Sequence, residues 1–479
     1  MSVTEQGRAL KAGALGLPGL TILGAAMMAP ALGLYLNWGP MELGVGLPTP
    51  LVFLAAMIIT LPIAISYSQI SKRMTSSGAV FAWSWREIGP RTASWVGIIM
   101  NLYYLVAVVI QPVLFGMFFN DFLSILGVHG NMTTWALGTA AITVVGMVAT
   151  YKGISISVKT AMGFMSVEIL VVIALLLTIL FTGADHGLGI SAAPFKPSMI
   201  TSPSAFWAAM IFGILSFAGF DVLQTAAEET KSPNSLIPKA TLWTVIIVGV
   251  FWIVGSWILS ISEPLHRVTG LMTSGFTPIT GIAKDYWGAG KILVDVTGMT
   301  ALGGALIACA VGSSRITFAQ GRHGTLSAKF GETRGKNQVP VNALHLTWAA
   351  TIAAIVVVSL WLKNPNSVFI WWAGSIAFFA LITYFFVHVS SLLHHRRIGE
   401  FNWFLHGVIP VGGSILIVYL IWKTFFQALW GLSWASGKSV LVFGLVCCLA
   451  ALIYVLVPSA KLRAAFEGSP PEVSELPHA

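Results

Sequence analysis

Of the 17 acidic residues in this chain of 479, a few stand where an apolar sequence has least room for them. Glu168 lies about twelve residues into the run 156–182, roughly 18 Å deep at about 1.5 Å per residue. That is near the middle of a hydrocarbon core about 30 Å thick. A carboxylate there costs about 2.5–3.5 kcal/mol on an insertion scale, so such acids face a partner or a pathway. The chemistry that suits the placement is uptake and release of a proton. Capture of a substrate ammonium or of a sodium ion is the weaker option, and a protonated glutamate bridging two helices is the purely structural one.

A second acid stands in SFAGFDVLQTAAEETKSPNSLIPKA, residues 216–240, between two apolar runs. Gly213, Gly219 and the succession Ser216, Phe217, Ala218, Gly219, Phe220 predict a helix break near Ser216–Gly219. Asp221 then falls in the first turn of the next half-helix, where free amides and the positive dipole end favour an anion. A buried, hydrogen-bonded or protonated aspartate is the alternative. Phe217 and Phe220 flank Gly219 and can close over a substrate or stack on an amine. Glu228 and Glu229 end the segment beside Lys231 and are expected to form an inner gate with basic loop residues, or else a solvated helix end.

The elements that must hold these residues are membrane helices. The chain is 56% hydrophobic and 9% charged, against about 25% charged in soluble domains, with a mean hydropathy of +0.84. The apolar runs are long and unbroken, not the alternating pattern of barrel strands. They predict an all-α polytopic membrane protein of about 12 spans, near 16–38, 49–71, 93–123, 132–150, 156–182, 203–230, 238–262, 292–320, 340–361, 366–393, 402–424 and 437–457. With the N-terminus inside, 19 of the 26 lysines and arginines fall on the cytoplasmic side, which places both termini there by the positive-inside rule. No cleavable signal peptide is apparent.

The first span carries its own interruption. In GLPGLTILGAAMMAPALGLYLNWGP, Gly24 and mid-span Pro30 predict a break over Ala26, Met27, Met28 and Ala29, with a new half-helix from Pro30. A Pro kink in a continuous helix is the alternative. Spans one and six are five helices apart. Interruptions at corresponding positions of two halves point to an inverted-repeat transporter with its site at the breaks. Half-helix amides suit a carboxylate and exposed carbonyls suit an amine, so an amino acid fits that chemistry.

Other classes find little support. No basic run exceeds HHRR at 394–397, which argues against nucleic acid as a partner. Cys309, Cys447 and Cys448 have no metal-binding spacing, and no cofactor is expected. The sequence has no HExxH, P-loop or GxSxG motif, so an enzyme or a transport ATPase is disfavoured. A channel would not need paired breaks. Ser313 and Ser314 could offer hydroxyls to sodium, and Tyr103, Tyr104, Gln111, Trp371, Trp372 and Ser375 could line a cavity.

Several segments together resemble the amino acid–polyamine–organocation (APC) superfamily of transporters. FAGFDVLQTAAEETKSPNSLIPKA is similar to its Phe-x-Gly-Phe-Glu/Asp, Ala-Glu-Glu, Lys-x-Pro and Ile-Pro-x-Ala succession. RMTSSGAVFAWSWREIGPRTASWVG resembles its small-residue entry to span three, and SSRITFAQGRHGTLSAKFG with VPVNAL its segment after span eight. The likeness covers most of the first ten spans. It implies a LeuT-like 5+5 inverted repeat with helices 1 and 6 broken, and alternating access. The repeats would be 16–182 and 203–393, with two further helices at 402–457, a cytoplasmic N-terminus at 1–15 and a disordered cytoplasmic tail at 458–479. A substrate site is expected at Ala26, Met27, Met28, Ala29, Ser216, Phe217, Ala218, Gly219, Phe220, Tyr104 and Trp371, with proton coupling through Glu168 and Asp221 and import of amino acids or related amines across the inner membrane. A sodium-coupled symporter or an exchanger is the alternative. Two departures stand out: the first-span break lacks the family's Gly-Ser/Ala-Gly, and Glu168 occupies the place where many relatives carry a lysine.

Overall fold

The computed structural model describes residues 16–75, 79–153, 158–221, 223, 232–273, 277–334, 339–468 and 474–475. The first apolar run is not one helix. It divides into α1 (Leu17–Met28) and α2 (30–45), the latter helical throughout but opened to a π-turn over Gly33–Asn37. Then follow α3 (Thr49–Ser71), the two-residue strand β1 (Met74–Thr75), the short α4 (Ala79–Glu87) and α5 (Pro90–Leu123). Next come α6 (Met132–Tyr151), α7 (Val158–Phe181), α8 (Pro203–Phe217) and α9 (Pro233–Ser262). A helical hairpin, α10 (Leu265–Thr273) and α11 (Pro278–Trp287), leads to α12 (Ile292–Arg322). The chain continues through α13 (Val341–Leu362), α14 (Pro365–Arg397), α15 (Trp403–Leu429) and α16 (Ser439–Leu456), and ends in α17 (Ala460–Glu467) and β2 (Ser474–Glu475).

Among the described residues ten helices are long and apolar enough to cross a membrane, and α8 is a shorter apolar one. Local sequence explains where they begin. Proline, which needs no partner for a missing N–H, opens α5, α8, α9, α11 and α14. Asn131 makes a capping box at the head of α6, and Ser202 and Asn364 cap α8 and α14. Large rings fill the centre: Trp38, Trp83, Trp135, Trp252 and Trp348 are fully buried. Lipid-facing surfaces remain apolar, as at Val167 and Leu170 of α7, Val357 and Leu360 of α13, and Val446 and Leu449 of α16. In water these would be a liability. In hydrocarbon they cost nothing.

Contacts sort the helix ends onto two faces. On one, Asn234 Nδ2 donates to the Lys72 carbonyl at 3.0 Å, joining the start of α9 to the end of α3. Tyr454 Oη donates to the Thr325 carbonyl at 2.8 Å, and Phe466 of α17 packs on Phe81, Trp85 and Ala93. β2 pairs antiparallel with β1 on the same face. Residues 460–467, expected to be without structure, are therefore helical: Ser459 caps them and Phe466 gives them an apolar anchor. The hairpin α10–α11 follows the other end of α9 and lies on the far face, a feature the long 263–291 connection did not disclose.

Candidate functional site

The first interruption sits at Ala29, whose φ of 47° and ψ of 68° put it in the left-handed region. A residue with a Cβ pays about 1–3 kcal/mol for that geometry, so packing must impose it. Trp252 of α9 does part of this: its indole N–H donates to the Pro30 carbonyl at 2.8 Å. Gly33 admits the ring, since a Cβ there would lie 2.3 Å from Trp252 Nε1. The first amides of α2 after Pro30 have no acceptor within the helix. Of the four residues expected at this break, Met28 closes α1 and is buried, and Ala26 and Met27 fall in its last turn.

The second interruption follows Phe217. Ala218 is extended, Gly219 takes a φ of 109°, and the chain turns tightly through Phe220 and Asp221. The Gly219 N–H donates to Asp221 Oδ1 at 3.2 Å, so the acid is held by the break itself. The rest of the following segment, with Glu228 and Glu229, lies outside the described residues.

The two interrupted segments touch. Asn37, in the π-turn of α2, donates to Ser216 Oγ at 2.7 Å, and Ser216 in turn donates to the Phe212 carbonyl at 2.8 Å. The ring of Phe217 meets Trp252 edge-on at 4.9 Å. π-turns often mark functional positions. Here one turns Asn37 toward the partner segment and Tyr35 toward Thr297 of α12, at 3.1 Å.

Around Asp221 three other helices assemble a tyrosine cage. Tyr104 of α5 donates to Asp221 Oδ2 at 3.1 Å and Tyr384 of α14 to Oδ1 at 3.4 Å. Tyr103 lies 3.5 Å from the Tyr384 hydroxyl, and Tyr67 of α3 stands edge-on to Phe220 at 5.5 Å. The Tyr67 hydroxyl is buried without a partner among the described residues. A carboxyl so surrounded can hold a proton or hold a cation, since a tyrosine hydroxyl both donates and accepts.

Glu168 is buried on α7 at 4% exposure, where α7 packs against α1 and α2. No hydrogen bond reaches its carboxyl among the described residues, while Tyr35 of α2 is near enough to feel its charge. The structure thus gathers Ser216, Phe217, Gly219, Phe220, Asp221 and Tyr104 at one break, and sets Glu168 against the helices of the other.

Trp371 does not join them. Its indole N–H donates to Ser439 Oγ of α16 at 2.9 Å and its ring packs on Trp372 at 4.6 Å. It lies roughly 20 Å along α14 from Tyr384, the residue of that helix that reaches Asp221. Ser313 is 3.4 Å from both Asn101 Oδ1 and Thr347 Oγ1, and Ser314 donates to the Val311 carbonyl at 2.8 Å, so both hydroxyls are taken up within the packed helices. Tyr67, Tyr384 and Asn37 escaped the sequence reading. Their only signal is a polar group inside an apolar run.

Interrupted helices that meet at buried polar groups within an apolar bundle define a membrane transporter. The sequence matches the family model for amino acid permeases over residues 20–465, and the chain belongs to that family, within the APC superfamily. It is 24% identical to the branched-chain amino acid permease BcaP of Bacillus subtilis, over 77% of this chain and 79% of that one. It is also 24% identical to the low-affinity putrescine importer PlaP of Escherichia coli, over 86% of each, and to a methylthioribose transporter of Bacillus subtilis, over 65% and 68%.

Proposed function

We propose that the protein imports neutral or cationic amino acids, or small amines, by proton-coupled alternating access. In this reading two further membrane crossings, one by α1 with α2 and one by the broken segment that α8 begins, complete 12 spans, and the first ten form a 5+5 inverted repeat. The face carrying α17 is cytoplasmic and the membrane is the plasma membrane. The substrate lies between the breaks. Its carboxylate, where it has one, takes the free amides at the head of α2, and its ammonium faces the Gly219–Asp221 turn.

The observation that carries this reading is the pair of buried acids. Asp221 is caged by tyrosines at one break and Glu168 stands unbonded beside the other. No lysine faces either acid among the described residues, so a substrate cation or a proton is what can neutralise them. Burial of the Ser313 and Ser314 hydroxyls among protein partners favours the proton over sodium. Two of the three relatives are named for substrates that bear an amine.

The experiment is uptake by the purified full-length protein in liposomes. Labelled amino acids and amines are offered under an inward proton gradient, with a sodium gradient in parallel. Accumulation driven by protons alone is expected. Accumulation that requires sodium, or exchange without accumulation under either gradient, overturns the coupling.

A further inference from the structure

Away from both breaks, where the hairpin α10–α11 meets α5 and α12, two threonine hydroxyls are strung between two buried aspartates. Asp121 Oδ2 contacts Thr277 Oγ1 and accepts the Thr277 N–H at 3.1 Å. Thr277 Oγ1 lies 2.9 Å from Thr280 Oγ1, and Thr280 Oγ1 lies 2.8 Å from Asp295 Oδ1. None of the four residues is more than 3% exposed. At the other end the Lys291 ammonium donates to Asp295 Oδ2 at 3.2 Å, to the Asp121 carbonyl at 2.8 Å and to Ser124 Oγ at 3.1 Å.

The hydrogens can be counted. Three oxygen–oxygen contacts need three, and two threonine hydroxyls supply two. An ionised carboxylate only accepts. The third hydrogen therefore sits on a carboxyl, whichever way the chain runs. Asp295 is paired with Lys291, so the neutral partner is Asp121. Charge leads to the same place. Two ionised aspartates against one lysine would leave a net negative charge buried, which costs several kcal/mol. One protonated aspartate makes the cluster neutral. Asp121 Oδ1 has no partner among the described residues, as suits an acid that is not charged.

We propose that Asp121 is a proton-binding site that latches the hairpin α10–α11 over the far end of the transport pathway, and that loss of its proton releases the hairpin. Met272 near the end of α10 and Thr277 and Pro278 at the head of α11 line a small cavity together with Tyr35, Met117 and Phe369, so the hairpin borders α2 there. The hairpin is attached beside the latch through Asn366, whose Nδ2 donates to the Met272 carbonyl at 2.6 Å. Without the proton the oxygen chain is one hydrogen short. Thr277 must give up either Asp121 or Thr280, and the unpaired charge draws water into the joint. The titratable groups facing Asp121 are Lys291, immediately before α12, and Asp295 in its first turn. The hairpin presents threonines to it, and α2 presents Tyr35 one layer away, bonded to Thr297. This latch does not depend on which acid couples transport.

The test uses the full-length protein in lipid nanodiscs, with no substrate and no gradient. Amide exchange over residues 265–287, corrected for intrinsic rates, is expected to be about tenfold faster at alkaline than at acid pH. Infrared spectra at acid pH are expected to show a protonated carboxyl that Asp121→Asn removes. Asp121→Asn carries its donor at every pH, so its hairpin stays protected at both. Thr280→Val deletes the middle oxygen. The Thr277 hydroxyl can then serve an ionised Asp121, and the pH dependence is again lost. Should Asp121→Asn fail to fold, Thr280→Val and the wild-type profile still decide. Exchange in the wild type that is equal at both pH values overturns the latch. So does a wild-type-minus-Asp121→Asn infrared difference that contains no protonated carboxyl band, or an Asp121→Asn profile that still follows pH. Failed uptake leaves this result standing, and its failure leaves Glu168 and Asp221 untouched.

Discussion

The two acids near the breaks are set differently, and their variants should differ. Glu168 has burial but no hydrogen-bond partner among the described residues, so the part left to it is to carry charge or a proton. Glu168→Gln keeps the shape and removes both. The expected outcome is uptake that no longer rises with an inward proton gradient, while counterflow of preloaded substrate persists within about threefold. Uptake that still follows the gradient would return Glu168 to a structural role. Asp221, by contrast, is held by donors. Tyr104→Phe deletes one of them at 3.1 Å. A hydrogen bond to a charged group is worth about 1.5–3 kcal/mol, and one between neutral groups about 1 kcal/mol. Substrate affinity should therefore fall roughly 10- to 100-fold if Asp221 works ionised, and only a few-fold if it works protonated. Binding isotherms on the purified variant separate the two.

At the scale of elements, the interruptions rest on close packing as much as on their own residues. Gly33 is the thinnest point. A Cβ there would stand 2.3 Å from Trp252 Nε1 and 2.5 Å from its Cε2, and the ring is pinned by its bond to Pro30. Gly33→Ala must push α2 and α9 apart, at a cost of about 1–3 kcal/mol, and loosen the carbonyl that defines the break. Thermal unfolding in detergent should shift downward, and substrate should restore less of the loss than in the wild type. An unchanged melting temperature would mean that the ring has room to move. Much of this layer was legible in the sequence. Pro30 and Gly219 announce the interruptions because one lacks an N–H and the other lacks a Cβ. Asp221 was legible because an acid in an apolar run demands an explanation. The tyrosines of the cage were not, since Tyr384 looks like ordinary apolar filling until α14 brings its hydroxyl to the carboxylate, and Tyr67 until α3 sets its ring against Phe220. Trp371 misled for the converse reason: an aromatic on a membrane helix is usually packing, and this one packs against α16. The hairpin α10–α11 was hidden because its short helices lack the long apolar signature of a span.

For the whole molecule, the distribution of charge is what favours the proposed orientation. The face that gathers α17 and the ends of α3, α12 and α14 carries Lys72, Arg73, Arg322, Arg396, Arg397, Lys461 and Arg463. On the far face, two of the seven basic residues are neutralised in place. Arg267 is paired with Asp285 at 2.8 Å and Lys291 is buried against Asp295. On the first face Arg73 is paired with Glu400 and Arg397 with Glu87, so pairing leaves the asymmetry of 19 against 7 that the sequence displays in place. Each basic residue near an anionic leaflet is worth about 1 kcal/mol, so the preference is cumulative. Ser459, at the head of α17, and His129, between α5 and α6, are exposed on opposite faces. In intact cells of the source organism, or a bacterial host, an impermeant maleimide should label His129→Cys and leave Ser459→Cys unlabelled until the membrane is broken. The reverse pattern would invert the molecule, place the Asp121 joint in the cytoplasm and turn the proposed importer into an exporter. The hairpin would then answer to the pH of the cell interior, and the proton released on its opening would enter the compartment from which the substrate is drawn.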